Sequence, residues 1–281
     1  MEERRIGPED TGGFRQYLIR EERSEATVEK YLRDIGAFVT FLHGEGMTKE
    51  KIIAYKQHLI DSGYAVRSIN SMLAAINSFL SYLGRSDLKV KAMKLQHQVF
   101  CPEERELTRE EYERLCRTAA RRHQERLCLI LQTICSTGIR VSELQFITAE
   151  AVRSGRAEVS LKGKTRTVLL SRDICGKLLK YLSDHKIRDG CVFVTRNGKP
   201  VCRSNIWREM KSLCKEAQVD PRKVFPHNLR HLFARIFYGI EKDIVKLADV
   251  LGHSSVETTR IYVISTGSEH LNFLNRMRLV I

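Results

Sequence analysis

The chain has 281 residues, 42% hydrophobic and 29% charged, enough to bury a substantial core and to hold two domains. Its 48 Lys+Arg against 34 Asp+Glu give a net charge of +14 and a pI of about 9.5, which points to a polyanionic partner, nucleic acid before membrane. No stretch approaches the ~20 apolar residues of a membrane span, and Met1-Glu2-Glu3-Arg4-Arg5 lacks the apolar core of a signal peptide. The expected location is therefore a reducing bacterial cytoplasm or nucleoid, with no membrane partner. The charge is uneven: residues 1–97 hold 15 Lys+Arg against 13 Asp+Glu, and residues 98–281 hold 33 against 21. The main anion-binding surface is expected in the second part.

In chain order, the first 85 residues carry helical spacing. A short helix is expected around Phe14–Ile19. Ser24–His43 follows, with Val28, Tyr31, Leu32, Ile35, Phe38, Val39 and Leu42 on one face, Ser24 as N-cap and Gly44 as stop. Thr48–Asp61 and Val66–Leu83 repeat the pattern, completing a four-helix unit. Residues 86–106 lose the period, which sets the domains at 1–88 and 107–281 with a linker at 89–106. Thr108-x-x-Glu111 has the form of a capping box opening the second domain. The apolar run Leu127–Ile134 predicts a central helix stopped near Gly138.

Ala157–Leu170 predicts a β-hairpin, with Lys162-Gly163-Lys164-Thr165 as its turn. Helical patterns resume at 171–186, 203–217, 228–238, 242–251 and 255–263. A tail at 264–281 carries Leu271, Phe273, Leu274, Met277 and Leu279. All eight cysteines lie between Cys101 and Cys214, with no Cys-x-x-Cys pair and no zinc-type spacing. Cys128 and Cys135, in the apolar run of the central helix, are expected as reduced, buried thiols. No metal and no cofactor are expected.

Several residues suit phosphodiester chemistry without a metal. The pentacovalent transition state gathers charge on its nonbridging oxygens, and guanidinium forks answer it. Arg140, just after Gly138 at an expected helix start, and Arg230 are the candidate pair. Glu143, three residues past Arg140, either orients a site side chain or caps the helix start. His227 shares a helical face with Arg230, and Pro226 suits the first turn of that helix. A neutral His227 could take a proton, and a protonated one could bind a phosphate oxygen. His231 projects elsewhere and is assigned to packing or support. Lys162 and Lys164, at the hairpin tip, could each protonate a leaving 5′-oxygen or simply bind phosphates. Tyr262 lies nine residues past the Gly252-His253 pair. It is either a nucleophile, needing nearby cations and a proton acceptor, or a core aromatic.

Taken in order, Gly138-Ile139-Arg140-Val141-Ser142-Glu143-Leu144, His227-x-x-Arg230-His231, Leu251-Gly252-His253 and Tyr262 resemble the motif set of the tyrosine recombinases, the phage-integrase family. The resemblance spans nearly the whole chain. It implies a mainly α-helical fold with a small β-hairpin: a helical, SAM-like core-binding domain and a mixed α/β catalytic domain closing as a C-shaped clamp on DNA. It implies that Tyr262 attacks the scissile phosphate to leave a 3′-phosphotyrosine and a free 5′-hydroxyl. Arg140 and Arg230 would stabilise the phosphorane, His227 would assist proton transfer, and His253 would bond a nonbridging oxygen. The family's hairpin lysine precedes a glycine, matching Lys162 better than Lys164, although this hairpin is one residue shorter than usual.

Asn228 and Arg235 are unusual neighbours of the His-x-x-Arg box. Because the chain begins almost directly with the core-binding helices, the resemblance favours the two-domain design of Xer-type or mobile-element enzymes. The implied partners are double-stranded DNA with paired inverted-repeat core sites and a homo-tetramer on synapsed DNA joined through the tail, with a paralogous recombinase or an accessory factor as a further partner. Against this site-specific recombinase stand a type IB topoisomerase-like enzyme, a DNA-binding protein of the same fold without catalysis, and a basic helical regulator whose motifs coincide by accident.

Overall fold

The computed structural model describes residues 5–94, 106–161, 163–195, 197–262, Leu271 and 275–277, and leaves out the side chains of Leu161 and Lys164. The chain divides into two compact units, Met1–His97 and Gln98–Ile281.

The first unit is four helices: α1 Pro8–Arg20, α2 Glu25–Phe41, α3 Lys49–Asp61 and α4 Val66–Tyr82. Helix α1 starts six residues before the expected Phe14. Pro8 needs no N–H partner in the first turn, and the Asp10 carboxylate accepts the Gly7 N–H at 2.9 Å. Gly13 stays inside the helix because the Tyr82 hydroxyl occupies the space a Cβ would take. Ser24 does stand at the N-terminus of α2, but its hydroxyl bonds the Thr27 hydroxyl at 2.9 Å and caps no backbone N–H. Phe14, Ile35, Phe38, Ile52, Leu73, Ile76 and Phe79 form the centre of this unit's core. Beyond α4, the side chain of Asn77 bonds both backbone polar groups of Val90, and Asn70 does the same to Met93, at 2.8–3.0 Å. Part of the stretch expected as linker is thus held against α4.

In the second unit, the Thr108–Glu111 capping box opens α5 Arg109–Arg121 as expected. Helix α6 Glu125–Thr137 is central: Leu127, Leu129, Ile130, Leu131, Thr133, Ile134 and Thr137 are all buried, so it is covered on nearly every side. A 3-10 stretch Val141–Phe146 and a short helix α7 Ala149–Ser154 lead to an antiparallel hairpin, β1 Arg156–Leu161 and β2 Lys164–Leu169, in which Val159 pairs Arg166. The remaining helices are α8 Arg172–Asp184, α9 Arg203–Ala217, α10 Pro226–Glu241, α11 Ile244–Leu251 and α12 Val256–Arg260.

Several expected boundaries move. Helix α10 begins at Pro226, two residues early, because Pro suits the first turn. Helix α11 begins after Asp243, whose Oδ1 accepts the Val245 and Lys246 N–H groups at 2.9 and 3.0 Å. Helix α12 ends at Arg260, so Tyr262 stands in the turn beyond it. Helix α7, which carries only six residues, had no periodicity to announce it. The seven described cysteines are free thiols, but Cys128 and Cys135 are half-buried where full burial was expected. Among the described residues no helix is long and apolar enough to cross a membrane.

Candidate active site

The site grows from the end of α6. Gly138 turns the chain with φ +65°, and a Cβ there would overlap the Phe233 ring and lie 2.9 Å from Leu251 Cδ2. Only glycine satisfies both the left-handed backbone and the close approach. The turn frees the Gly138 carbonyl, which accepts from Arg230 Nη1.

Arg140 follows, its side chain 40% exposed. The helix it precedes is a six-residue 3-10 stretch, and the anion at its start is the Glu143 carboxylate rather than an open site. Glu143 Oε2 accepts the Arg140 N–H at 2.8 Å while Oε1 accepts Arg140 Nη1 at 2.9 Å. Capping and orienting, which sequence left as alternatives, are one arrangement. Glu143 is 2% exposed and also accepts Arg166 Nη2 at 2.7 Å. Burial opposes its ionisation, but the Arg140 N–H, the Arg166 charge and the Arg140 guanidinium outweigh burial and hold its carboxyl below the ordinary range.

Arg230, on α10, is 1% exposed. Nη2 donates to the Leu251 carbonyl at 2.7 Å and to His253 Nε2 at 2.9 Å. A guanidinium only donates, so Nε2 must accept, the proton sits on Nδ1, and Nδ1 donates to Thr259 Oγ1 at 2.8 Å. Burial first, then the charges of Arg230, Arg140 and Arg166, depress His253 to about 4, which keeps it neutral near pH 7. Burial and the Arg140 charge pull Arg230 down to about 10, still fully ionised at neutral pH.

Tyr262 is 3% exposed and packs among three imidazoles: His231 at 4.3 Å between ring centres, His253 stacked at 5.5 Å, and His227 at 5.7 Å. Its hydroxyl lies 3.5 Å from His227 Nε2, the outer limit of a hydrogen bond. Burial, followed by the charges of Arg230, Arg140 and Arg203, lowers His227. Burial, then His227 and Arg230, lowers His231 to about 4. His231, expected to project elsewhere and to serve packing or support, lies within the cluster itself, its ring against that of Tyr262 and edge-on to His227 at 5.0 Å. Asn228 is buried and donates to the Lys223 carbonyl at 2.7 Å, and Arg235 pairs with Glu106.

A cleft of about 750 Å³ opens beside this cluster, lined by Arg140, Glu143, Thr165, Arg166, Gly252 and His253 among others. Five of the six expected catalytic residues, Arg140, His227, Arg230, His253 and Tyr262, thus share one neighbourhood. The sixth, Lys162, and the side chain of Lys164 lie outside the described residues, as does most of 264–281. Sequence reasoning missed Arg166 and Thr259. Arg166 had a usable signal: on a strand it shares a face with Val168, which is buried.

The family model described as "Phage integrase family" matches residues 105–269, and that of the "Phage integrase, N-terminal SAM-like domain" matches 12–87. The chain belongs to the phage integrase family, the tyrosine recombinases, whose members cleave and rejoin DNA. Tyrosine recombinase XerD of Halalkalibacterium halodurans is 28% identical over 260 residues, covering 85% of this chain and 87% of the relative. The fold is shared with XerH site-specific recombinase bound to palindromic difH substrate in a post-cleavage complex (TM-score 0.71, 16% identity, 94% of each chain covered). It is shared equally with a lambda integrase tetramer bound to a Holliday junction (TM-score 0.72, 19% identity, 90% of this chain and 76% of that chain).

Proposed function

We propose that the chain is a metal-independent site-specific recombinase that breaks and rejoins double-stranded DNA with Tyr262 as nucleophile. The observation that carries this is convergence: α10, the α11–α12 connection and the turn after α12 bring His227, Arg230, His253 and Tyr262 together, with the Tyr262 hydroxyl 3.5 Å from a neutral His227 ring nitrogen. That nitrogen accepts the phenolic proton as the Tyr262 oxygen bonds to phosphorus. The P–O5′ bond breaks, and the departing oxygen takes a proton from the hairpin ammonium, Lys162 or Lys164.

Arg140, exposed to the cleft, and Arg230 supply fixed positive charge to the phosphorane. An arriving phosphate competes with His253 for Arg230 Nη2, and its negative charge favours a proton on His253 Nε2, which then donates to a nonbridging oxygen. The 3′-phosphotyrosine conserves the bond energy, so a 5′-hydroxyl from a second duplex reverses the step. Tyr262 does not line the cleft, so attack requires the turn after α12 to move its ring toward the phosphate.

Relatives seen as dimers and tetramers on DNA support a homo-tetramer of this chain on paired inverted-repeat sites, working in the cytoplasm. The tail at 264–281, where Leu271 and Met277 are exposed, is the proposed contact between protomers. The test is a nicked suicide duplex carrying a site selected from random DNA by this protein. Wild type should form a covalent adduct that chelator does not reduce, and Tyr262→Phe should bind the site without forming it. An adduct that survives Tyr262→Phe would move the nucleophile to another residue, and no adduct on any selected site would return the chain to the DNA-binding class. Deleting 268–281 should abolish synaptic assembly while leaving single-site binding intact.

A further inference from the structure

Arg166 lines the cleft beside Arg140 and His253, yet the reaction described above gives it no part. It sits in the middle of β2, opposite Val159, with its side chain 15% exposed. Its Nη2 donates to Glu143 Oε2 at 2.7 Å and its Nη1 to the Val250 carbonyl at 2.9 Å. Its stem lies so close to Gly252 that a Cβ on that residue would overlap Arg166 Cδ. One side chain therefore joins three pieces of chain: the hairpin, the carboxylate that holds Arg140, and the end of α11 from which His253 follows.

Burying a charged group here is costly, and its Nε has no hydrogen-bond partner among the described residues. A valine or leucine would cover Val159 and Val168 at lower cost, since a buried ion pair adds little net stability over an apolar pair. What an apolar side chain lacks is the planar fork, which fixes two acceptors in one geometry. Lys164 opens β2 two residues before Arg166, so a strand rise of about 3.3 Å per residue keeps its backbone ~7 Å from this anchor along the strand.

We propose that Arg166 is a positioning residue that locks the lysine-bearing hairpin in register with Arg140 and His253, so that an ammonium meets the leaving 5′-oxygen. The proposal rests on the reading of a hairpin lysine as the proton donor. It differs from that reading in naming the link that delivers the lysine.

The experiment compares cleavage of two suicide duplexes, one ordinary and one with the bridging 5′-oxygen at the scissile phosphate replaced by sulfur. A 5′-thiolate departs without a proton, so a defect confined to protonation disappears on sulfur. Arg166→Met and Arg166→Lys are assayed beside Lys162→Ala and Lys164→Ala, with site affinity and thermal unfolding measured for each. On oxygen, Arg166→Met should cleave on the order of 10²-fold more slowly, the scale of a lost general acid, with site affinity unchanged. Arg166→Lys should fall between it and the parent. On sulfur, both Arg166 variants and one lysine variant should return to within a few-fold of the parent.

A full rate for Arg166→Met on oxygen sinks the proposal. So does an Arg166 defect that persists on sulfur while a lysine variant is rescued, and that outcome leaves the proton-donor reading standing. Failure of sulfur to rescue either lysine variant overturns both. If Arg166→Met does not fold, Arg166→Lys carries the same comparison, because a point charge keeps the cation but loses the fork.

Discussion

Between Arg230 and His253 a donor that cannot accept faces a ring nitrogen that therefore must. That single bond holds the imidazole in one tautomer and one charge state. His253 and His231 are both depressed to about 4 from an unfolded value near 6.5, and the groups facing His253 are the cations of Arg230, Arg140 and Arg166 and the His227 ring. A depressed histidine stabilises the fold in its neutral form, so the unfolded chain binds more protons between these two values. Stability should therefore be fully present above about pH 6.5 and fall as the pH drops toward about 4, and His253→Gln should flatten the slope of Tm against pH across that window. A Tm that rises on acidification would refute this.

Glu143 makes a second residue-scale prediction. Removing its carboxylate leaves Arg166 buried without its charge partner, so Glu143→Ala should cost on the order of 2–3 kcal/mol in urea unfolding, less than a fully buried pair because Arg140 is partly exposed. At this scale Arg140, His227, Arg230, His253 and Tyr262 were legible from residue type and order along the chain. Arg166 was legible only as a residue on the Val168 face of its strand; its role was not, because its partners Glu143 and Val250 are distant in the chain.

At the scale of elements, the helices with a long one-sided stripe declared themselves, and those built by caps or tertiary packing did not. Helices α2, α3 and α4 follow their apolar spacing closely, and α6 follows its continuous apolar run. Helix α7 has six residues and depends on its neighbours, and α12 stops after five, with Thr259 turned inward to bond His253. The turn at Gly138 joins fold to site most directly: it ends α6, makes room for Phe233 and Leu251, and presents a carbonyl to Arg230. Gly138→Ala should cost about 2–4 kcal/mol, combining the strain of positive φ with overpacking, and should slow cleavage by displacing Arg230. By contrast Thr108→Ala, at the α5 capping box, should cost only about 1 kcal/mol with m unchanged and cleavage unaffected.

Across the molecule, each unit has its own apolar core, one around Phe14, Phe38 and Phe79, the other around Ile130, Ile134 and Leu229. Residues 1–97 expressed alone should therefore unfold in one cooperative urea transition, and a broad, non-cooperative melt would contradict an independent domain. The excess charge of the second unit should make site binding steeply salt-dependent, with affinity falling on the order of 10³-fold between 50 and 200 mM salt. Composition, the order of motifs and helical periodicity were enough to determine a basic, two-unit, mostly helical chain of this family and to single out Tyr262 as the proposed nucleophile, because those signals are local and survive without coordinates. Only the tertiary structure decided that Glu143 both caps and orients, that Tyr262 rests buried among three neutral imidazoles, and that Arg166 ties the hairpin to the site. Charge states and hydrogen-bond partners arise from groups distant in the chain and adjacent in space, and no local pattern encodes that adjacency.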